Sequence, residues 1–494
     1  MEMTRVDRRR AQAAAPEIDH QQVSWRDLRE SANRAFSRAA GAPLIPGNRI
    51  RLLKDAAENY PAWLEAIAAA RKHIHLESYI IYGDATGRRF ADALLQKAAE
   101  GVCVRVIYDW LGGFGKTPGA FWERLRAGGI QVRCFNRPRL DRPLGWLSRD
   151  HRKMLAVDGQ VGYVSGLCIG MAWEGLPAKK IEPWRDTGVE VHGPAVADIE
   201  KAFAQVWAMT GEELPDGEEG AGGIIAPAGT ASLRVVANIP ATAGLFRLDQ
   251  LVAALARERL WLTDAYYAGN TPYVQALRSA AVDGVDVRLL VPNATDIPVV
   301  KALSRAGYRT LLESGVRVFE WNGTMLHAKT ALADRHWARV GSSNLNISSW
   351  LGNCELDVVV EDEHFAAGME AMYLADLDNA TEVVLSRKQR VLAPGEPPHP
   401  ARTITSGSGS AGRAAAGAVR IGHAVGAAFT GRRLLGQIEA RLMTLIGVLF
   451  LLLAALALWL PALLLYPILF LFAWFGLVLL GRGCALYLKS KQKE

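Results

Sequence analysis

The sequence predicts an α/β protein built from two pseudo-symmetric α/β sandwich halves, followed by a C-terminal hydrophobic helical hairpin. Three observations predict it. From about residue 48 to 390, short Val/Ile/Leu runs such as "VCVRVIYD" alternate with Ala/Leu-rich stretches such as "YPAWLEAIAAARKH", the rhythm of buried sheets flanked by helices. The same region repeats itself in order. "KHIHLESYII" (72–81) resembles "RLWLTDAYYA" (259–268), "GVCVRVIYD" (101–109) resembles "GVDVRLLVP" (284–292), and "GGIQVRCFN" (128–136) resembles "SGVRVFEWN" (314–322). Finally, residues 443–480 form a run of 38 without a charged side chain.

In chain order, residues 1–47 hold an N-terminal arm and a helix, "SWRDLRESANRAFSRAAG" (24–41), with Ser24 as its cap and Gly41 as its stop. The arm has charges but no apolar segment of the secretory type. The first half spans 48–215, a Gly/Pro/acid-rich linker 216–232, and the second half 233–390. A Pro/Gly/Ser-rich basic linker follows at 391–442. Residues 443–480 read as a transmembrane or re-entrant hairpin, and 481–494 as a basic tail. One straight helix over the apolar run would measure roughly 57 Å against about 30 Å of hydrocarbon. Pro461 and Pro467 offer a bend, and basic residues on both flanks place both ends on the cytoplasmic side.

Half of the 494 residues are hydrophobic, enough for a large core, and the formal charge is +7. That balance admits an anionic partner, either nucleic acid or an acidic membrane surface. The five cysteines are scattered, which argues against a disulfide framework or a zinc cluster.

The strongest signal is a doubled motif. "HRKMLAVD" places His151, Lys153 and Asp158 at the spacing that "HAKTALAD" gives His327, Lys329 and Asp334, 176 residues later. On a strand, alternation sets each histidine beside its lysine on one face. Two such pairs on equivalent strands of two equivalent halves meet across a pseudo-twofold axis. The lysines repel a cation and no carboxylate neighbours either histidine in sequence, so the expectation is no metal and no cofactor. A phosphodiester fits. The ammonium groups neutralise its oxygens, one imidazole attacks phosphorus, and the other protonates the leaving oxygen.

The doubled His-x-Lys-x4-Asp resembles the phospholipase D superfamily. "GNRIRLLKDAAENYPAWLEAIAAARKHIHLESYII", "HRKMLAVDG", "WRDTGVEVHGPAVADI" and "LHAKTALAD" are similar to its bacterial cardiolipin synthases, over roughly residues 45–385. The resemblance implies two phospholipase D-type halves, with His151 and His327 as nucleophile and general acid in an order that is not fixed. It implies Lys153 and Lys329 on the phosphoryl oxygens, Ser342 and Asn344 lining the phosphate pocket, and Glu355 and Asp186 orienting the histidines. Asp158 and Asp334 complete the catalytic motif. Strand geometry points them away from the pocket, so they are expected to hold the local fold.

Two departures stand out. Asn344 has Cys168 at its first-half position, expected as a small wall-filling residue. The stretch "RPRLDRPLGWLSR" (137–149) is an insertion relative to the second half. It suits an interfacial loop, with Trp146 at headgroup level and arginines on lipid phosphates, and "GMAWEGLPAKK" (170–180) suits a second such loop. The expected activity is phosphatidyl transfer to a lipid alcohol through a covalent phosphohistidine. Hydrolysis of phospholipids is the alternative, and a nuclease or nucleic-acid-binding module a more distant one. The expected partners are phospholipid substrates and an anionic membrane surface, with no nucleic acid. The expected location is the bacterial inner membrane, with the catalytic part on the cytoplasmic side.

Overall fold

The computed structural model of the chain describes residues 25–138, 147–176, 178, 180–215, 225–385 and 391–392, with scattered positions between 448 and 480. The first half contributes β1 (Ile45–Lys54), β2 (His73–Ser78), β3 (Cys103–Asp109), β4 (Gln131–Phe135), β5 (Lys153–Val157), β6 (Val161–Ser165) and β7 (Thr187–His192). The second contributes β8 (Ala231–Asn238), β9 (Arg259–Thr263), β10 (Asp286–Pro292), β11 (Arg317–Trp321), β12 (Thr330–Ala333), β13 (Trp337–Gly341), β14 (Glu355–Glu361), β15 (Ala380–Leu385) and β16 (Val391–Leu392).

The duplication is visible in the strand order. The first half runs β1-β7-β6-β5-β2-β3-β4, and the second runs β8-β14-β13-β12-β9-β10-β11 before adding β15 and β16. In each half three strands are parallel (β2-β3-β4 and β9-β10-β11) and the rest antiparallel. Parallel strands need crossover helices, which supply the Ala/Leu-rich segments between them. Every residue of β5, β6, β12 and β13 is buried, as strands covered on both faces require. β12 lies between β9 and β13, so the second motif is not on an edge.

β1 and β8 pair antiparallel across the junction, with a register irregularity between Ile45 and Asn48. β13 also packs on β6 and β7. Val164, Val189 and Val191 of the first half therefore share one core with Val340, Leu356 and Val358 of the second. The helix Trp25–Ala40 docks on the second-half helix Gly244–Leu255, where Arg247 Nε donates to the Ala39 carbonyl at 3.1 Å.

The motif histidines were expected inside strands, but they precede them. β5 begins at Lys153 and β12 at Thr330. The reason is a change of partner. His151 N donates to the Cys354 carbonyl (2.9 Å) and His327 N to the Arg185 carbonyl (2.7 Å), so each leaves its own sheet ladder to pair with the opposite half.

The expected hairpin at 443–480 lies almost wholly outside the described residues. Among those described, Leu451, Phe472 and Leu477 are helical and exposed. Trp146 and most of the 137–149 insertion also lie outside them. Among the described residues, no helix is long and apolar enough to cross a membrane.

Candidate active site

Crossed pairing of the two halves builds the site. Asp150 bridges Cys354, and Arg185 bridges Leu326, each in parallel. These short bridges carry the residue after each partner into register. Glu355 thus meets His151, and Asp186 meets His327. His151 Nδ1 donates to Glu355 Oε2 at 2.9 Å, with Oε1 at 3.1 Å, and His327 Nδ1 donates to Asp186 Oδ2 at 2.7 Å. Each histidine is oriented by a carboxylate from the other half. With Nδ1 committed, Nε2 is the nitrogen left for chemistry.

The lysines sit beside their own histidines. Lys153 Nζ donates to the His151 carbonyl and Lys329 Nζ to the His327 carbonyl, and Lys329 Nζ lies 3.0 Å from His327 Nδ1. All four side chains are buried or nearly so. Burial lowers the histidines, His151 to about 4 and His327 to about 3. Lys153 and Lys329 add to the lowering of both rings, while the partner carboxylates oppose it. Both halves' lysines thus act on both rings, as one shared pocket requires. Burial, with Lys153 nearby, also lowers Lys329 to about 8. Burial pushes Asp186 and Glu355 up, but His327 with Lys329, and His151 with Lys153, outweigh it and hold both carboxyls below their usual range. The apo pocket holds neutral imidazoles and ionised carboxylates.

The two dyads are buttressed differently. Ser342 Oγ donates to Glu355 Oε2 at 2.6 Å, and the Leu356 N–H donates to Ser342 Oγ at 2.9 Å. On the other side, the Trp173 indole N–H donates to Asp186 Oδ2 at 3.1 Å and the Thr187 N–H to Oδ1 at 2.8 Å. Gly166 stands where the second half has Ser342, and a Cβ there would collide with the Asp186 carboxylate. Asn344 is buried beside this network, and no hydrogen bond reaches its Oδ1 among the described residues. Cys168 is enclosed in the apolar core with Leu167, Ile169 and Trp173, and burial raises its thiol.

Asp158 and Asp334 belong to the doubled motif but not to this cluster. They sit at the far ends of β5 and β12, in left-handed turns with φ of 56° and 51°. Asp158 accepts backbone N–H bonds from Arg71, Lys72 and His73 (2.7–2.9 Å). Asp334 accepts from Arg257, Glu258 and Arg259 (2.8–3.3 Å). They tie the turns after β5 and β12 to the starts of β2 and β9, away from the reacting groups.

The structure also brings in residues that the sequence reading missed. Tyr79 lies edge-on to His151 at 5.1 Å and Tyr266 edge-on to His327 at 5.9 Å. Both sit in the repeated segments at the ends of β2 and β9, so the repeat itself was the signal. Trp173 and Trp184 flank His327 at 5.4 and 5.6 Å. Trp173 is fully buried, so the 170–180 stretch is not an interfacial loop at that position. Arg149, expected on lipid phosphates, is buried against Asp109 at 3.0 Å.

Among the described residues, His73, His75 and Glu200 bring metal-ligating atoms within 4.8 Å of one another. They lie at the opposite end of β2 from Lys153, which pairs with Ser78. His73 bonds Glu200 at 2.7 Å, and the Arg105 guanidinium lies 3.3 Å from His75 Nε2, while no hydrogen bond reaches His75 Nδ1 or Glu200 Oε2 among the described residues. The second half carries an Arg259–Glu370 pair at the corresponding place.

The family model for the cardiolipin synthase, phospholipase D-like domain matches residues 63–207 and 252–377, spanning both motifs. The chain belongs to this family. Cardiolipin synthase A of Pseudomonas syringae pv. syringae is 36% identical over 363 residues, covering 72% of this chain and 73% of the relative. Cardiolipin synthase A of Pseudomonas aeruginosa is 36% identical over 407 residues, covering 77% and 79%. The crystal structure of the phosphatidylserine synthase of Haemophilus influenzae Rd KW20 superposes with a TM-score of 0.58 at 15% identity, covering 71% of this chain and 92% of that one. This last likeness concerns the fold.

Proposed function

We propose that this member of the cardiolipin synthase family transfers a phosphatidyl group from one phospholipid to a hydroxyl of another, yielding cardiolipin, through a covalent phosphohistidine. The observation that carries the reading is the pair of crossed dyads, His151–Glu355 and His327–Asp186, enclosed with Lys153 and Lys329. One neutral imidazole attacks phosphorus through Nε2. The bound phosphodiester brings negative charge into the pocket and raises the other imidazole, which takes up a proton and delivers it to the departing oxygen. Lys153 and Lys329 swing from their main-chain carbonyls to the phosphoryl oxygens, and Ser342 and Asn344 complete the pocket wall. In the second step the incoming hydroxyl gives its proton to the acid–base histidine and displaces the histidine bonded to phosphorus. Water in place of the alcohol gives hydrolysis by the same intermediate.

The substrates on this reading are phospholipids at an anionic membrane surface. The 443–480 segment anchors the enzyme in the bacterial inner membrane, with the catalytic part on the cytoplasmic side. The test is to incubate the purified full-length chain with labelled phosphatidylglycerol and separate the lipids. Cardiolipin with released glycerol supports the reading. Phosphatidic acid alone favours hydrolysis, and the absence of any lipid product would defeat both.

A further inference from the structure

The walls beside the two histidines differ in chemistry. Next to His327, the Tyr266 hydroxyl donates to Asp296 Oδ1 at 2.8 Å, and both side chains are half-buried. Asp296 is on the loop that leaves β10. That loop also carries Asn293, whose Oδ1 accepts from Lys301 Nζ at 2.7 Å. In the first half, the acid at the end of β3 is Asp109. It is fully buried, taken up by Arg149 and by the Leu111 and Asp150 N–H groups. The residues after it are Trp110 and Phe114, whose rings meet at 5.0 Å, with Phe114 exposed. Both sides carry aromatic rings, but the His327 side adds a half-buried carboxylate, Asp296, where the first half's Asp109 is fully buried.

We propose that Asp296, held by Tyr266, is the recognition group for a hydroxyl-bearing headgroup of the glycerol type on the His327 side of the pocket. The assignment rests on the phosphatidyl-transfer reading and deepens it. A carboxylate accepts from several donors, so it can hold vicinal hydroxyls while keeping the tyrosine. Cationic headgroups are disfavoured by Lys329, whose Nζ lies 5.8 Å from the Tyr266 ring centre, and by Lys301 on the same segment. In transfer, the departing and entering alcohols use one side of phosphorus, opposite the histidine bonded to it. A headgroup site beside His327 therefore makes His327 the acid–base group and His151 the nucleophile. The His151 Nε2–P bond forms as the P–O bond to the first alcohol breaks, and that oxygen takes the His327 proton. The second alcohol then returns a proton to His327, forms its own P–O bond and breaks the P–N bond.

The experiment is a competition. The full-length enzyme in mixed micelles receives phosphatidylglycerol with equal concentrations of labelled glycerol and propan-1-ol, and the ratio of the two phosphatidyl products is measured. The wild type should favour glycerol. Asp296→Ala should lower the ratio at least about tenfold, through loss of charged hydrogen bonds to the extra hydroxyls. Asp296→Asn should fall between the two, and Tyr266→Phe should move the ratio the same way. An unchanged ratio in Asp296→Ala, including equal loss of both products, would overturn this assignment alone. A wild-type enzyme that makes cardiolipin but transfers to neither small alcohol would overturn this assignment alone, and one that also makes no cardiolipin would overturn the proposed function as well.

Discussion

Glu355, in the second half, accepts a 2.9 Å hydrogen bond from Nδ1 of His151, in the first. Asp186 returns the arrangement to His327 at 2.7 Å. Neither half contains a complete dyad, so the shared core between β6, β7 and β13 supports the candidate site as well as the fold.

The crossed dyads predict matched losses. Glu355→Gln and Asp186→Asn keep the side-chain shape but remove the charge that orients the ring and stabilises imidazolium. Each should lower kcat roughly 10²–10⁴-fold. His151→Ala should abolish phosphoenzyme trapped by acid quench from labelled lipid, whereas His327→Ala should slow its formation and turnover. Retention of more than a tenth of wild-type activity in either histidine variant would contradict a shared site.

The pH profile follows from the buried groups. Lys329, lowered to about 8, loses its positive charge as pH rises through that value, and phosphoryl neutralisation weakens with it. The imidazoles stay neutral until pH falls to about 4 for His151 and about 3 for His327. Because one imidazole takes up a proton as substrate binds, kcat/KM of the free enzyme should fall with rising pH from about 4 upward, and more steeply above about 8. A profile that stays flat up to the ordinary histidine value of about 6.5 would show that burial does not govern these rings.

Asp158 and Asp334 should behave as structural residues. Each accepts three backbone N–H groups at a turn, so Asp158→Ala or Asp334→Ala should lower stability by about 1–3 kcal/mol. Turnover of the folded fraction should stay within a fewfold of the wild type. A folded variant of unchanged melting temperature that is inactive would place the aspartate in the chemistry.

Truncation after residue 400 should release the protein from membranes yet leave its activity on detergent-dispersed lipid. The motif histidines and lysines and the carboxylates that face the histidines all lie between residues 151 and 355, far in sequence from the apolar segment. Membrane flotation and a mixed-micelle assay of the truncated chain check this. A folded, inactive truncation would give the 443–480 segment a role beyond anchoring.

The sequence by itself determined the duplication, the alternation of strands and helices, and the chemical identity of the motif residues. These are legible because strand burial and repeated spacing are local properties, readable as "VCVRVIYD" beside "VDVRLLVP" or as two copies of His-x-Lys. Only the tertiary structure decided which carboxylate serves which histidine. The partners are 204 and 141 residues apart, and they meet through single bridges between halves that leave no periodic trace. The same holds for Trp173, whose indole is indistinguishable in sequence from an interfacial one until the fold buries it on Asp186. It also holds for the helix Trp25–Ala40, whose docking on the far half depends on a surface assembled more than 200 residues later in the chain.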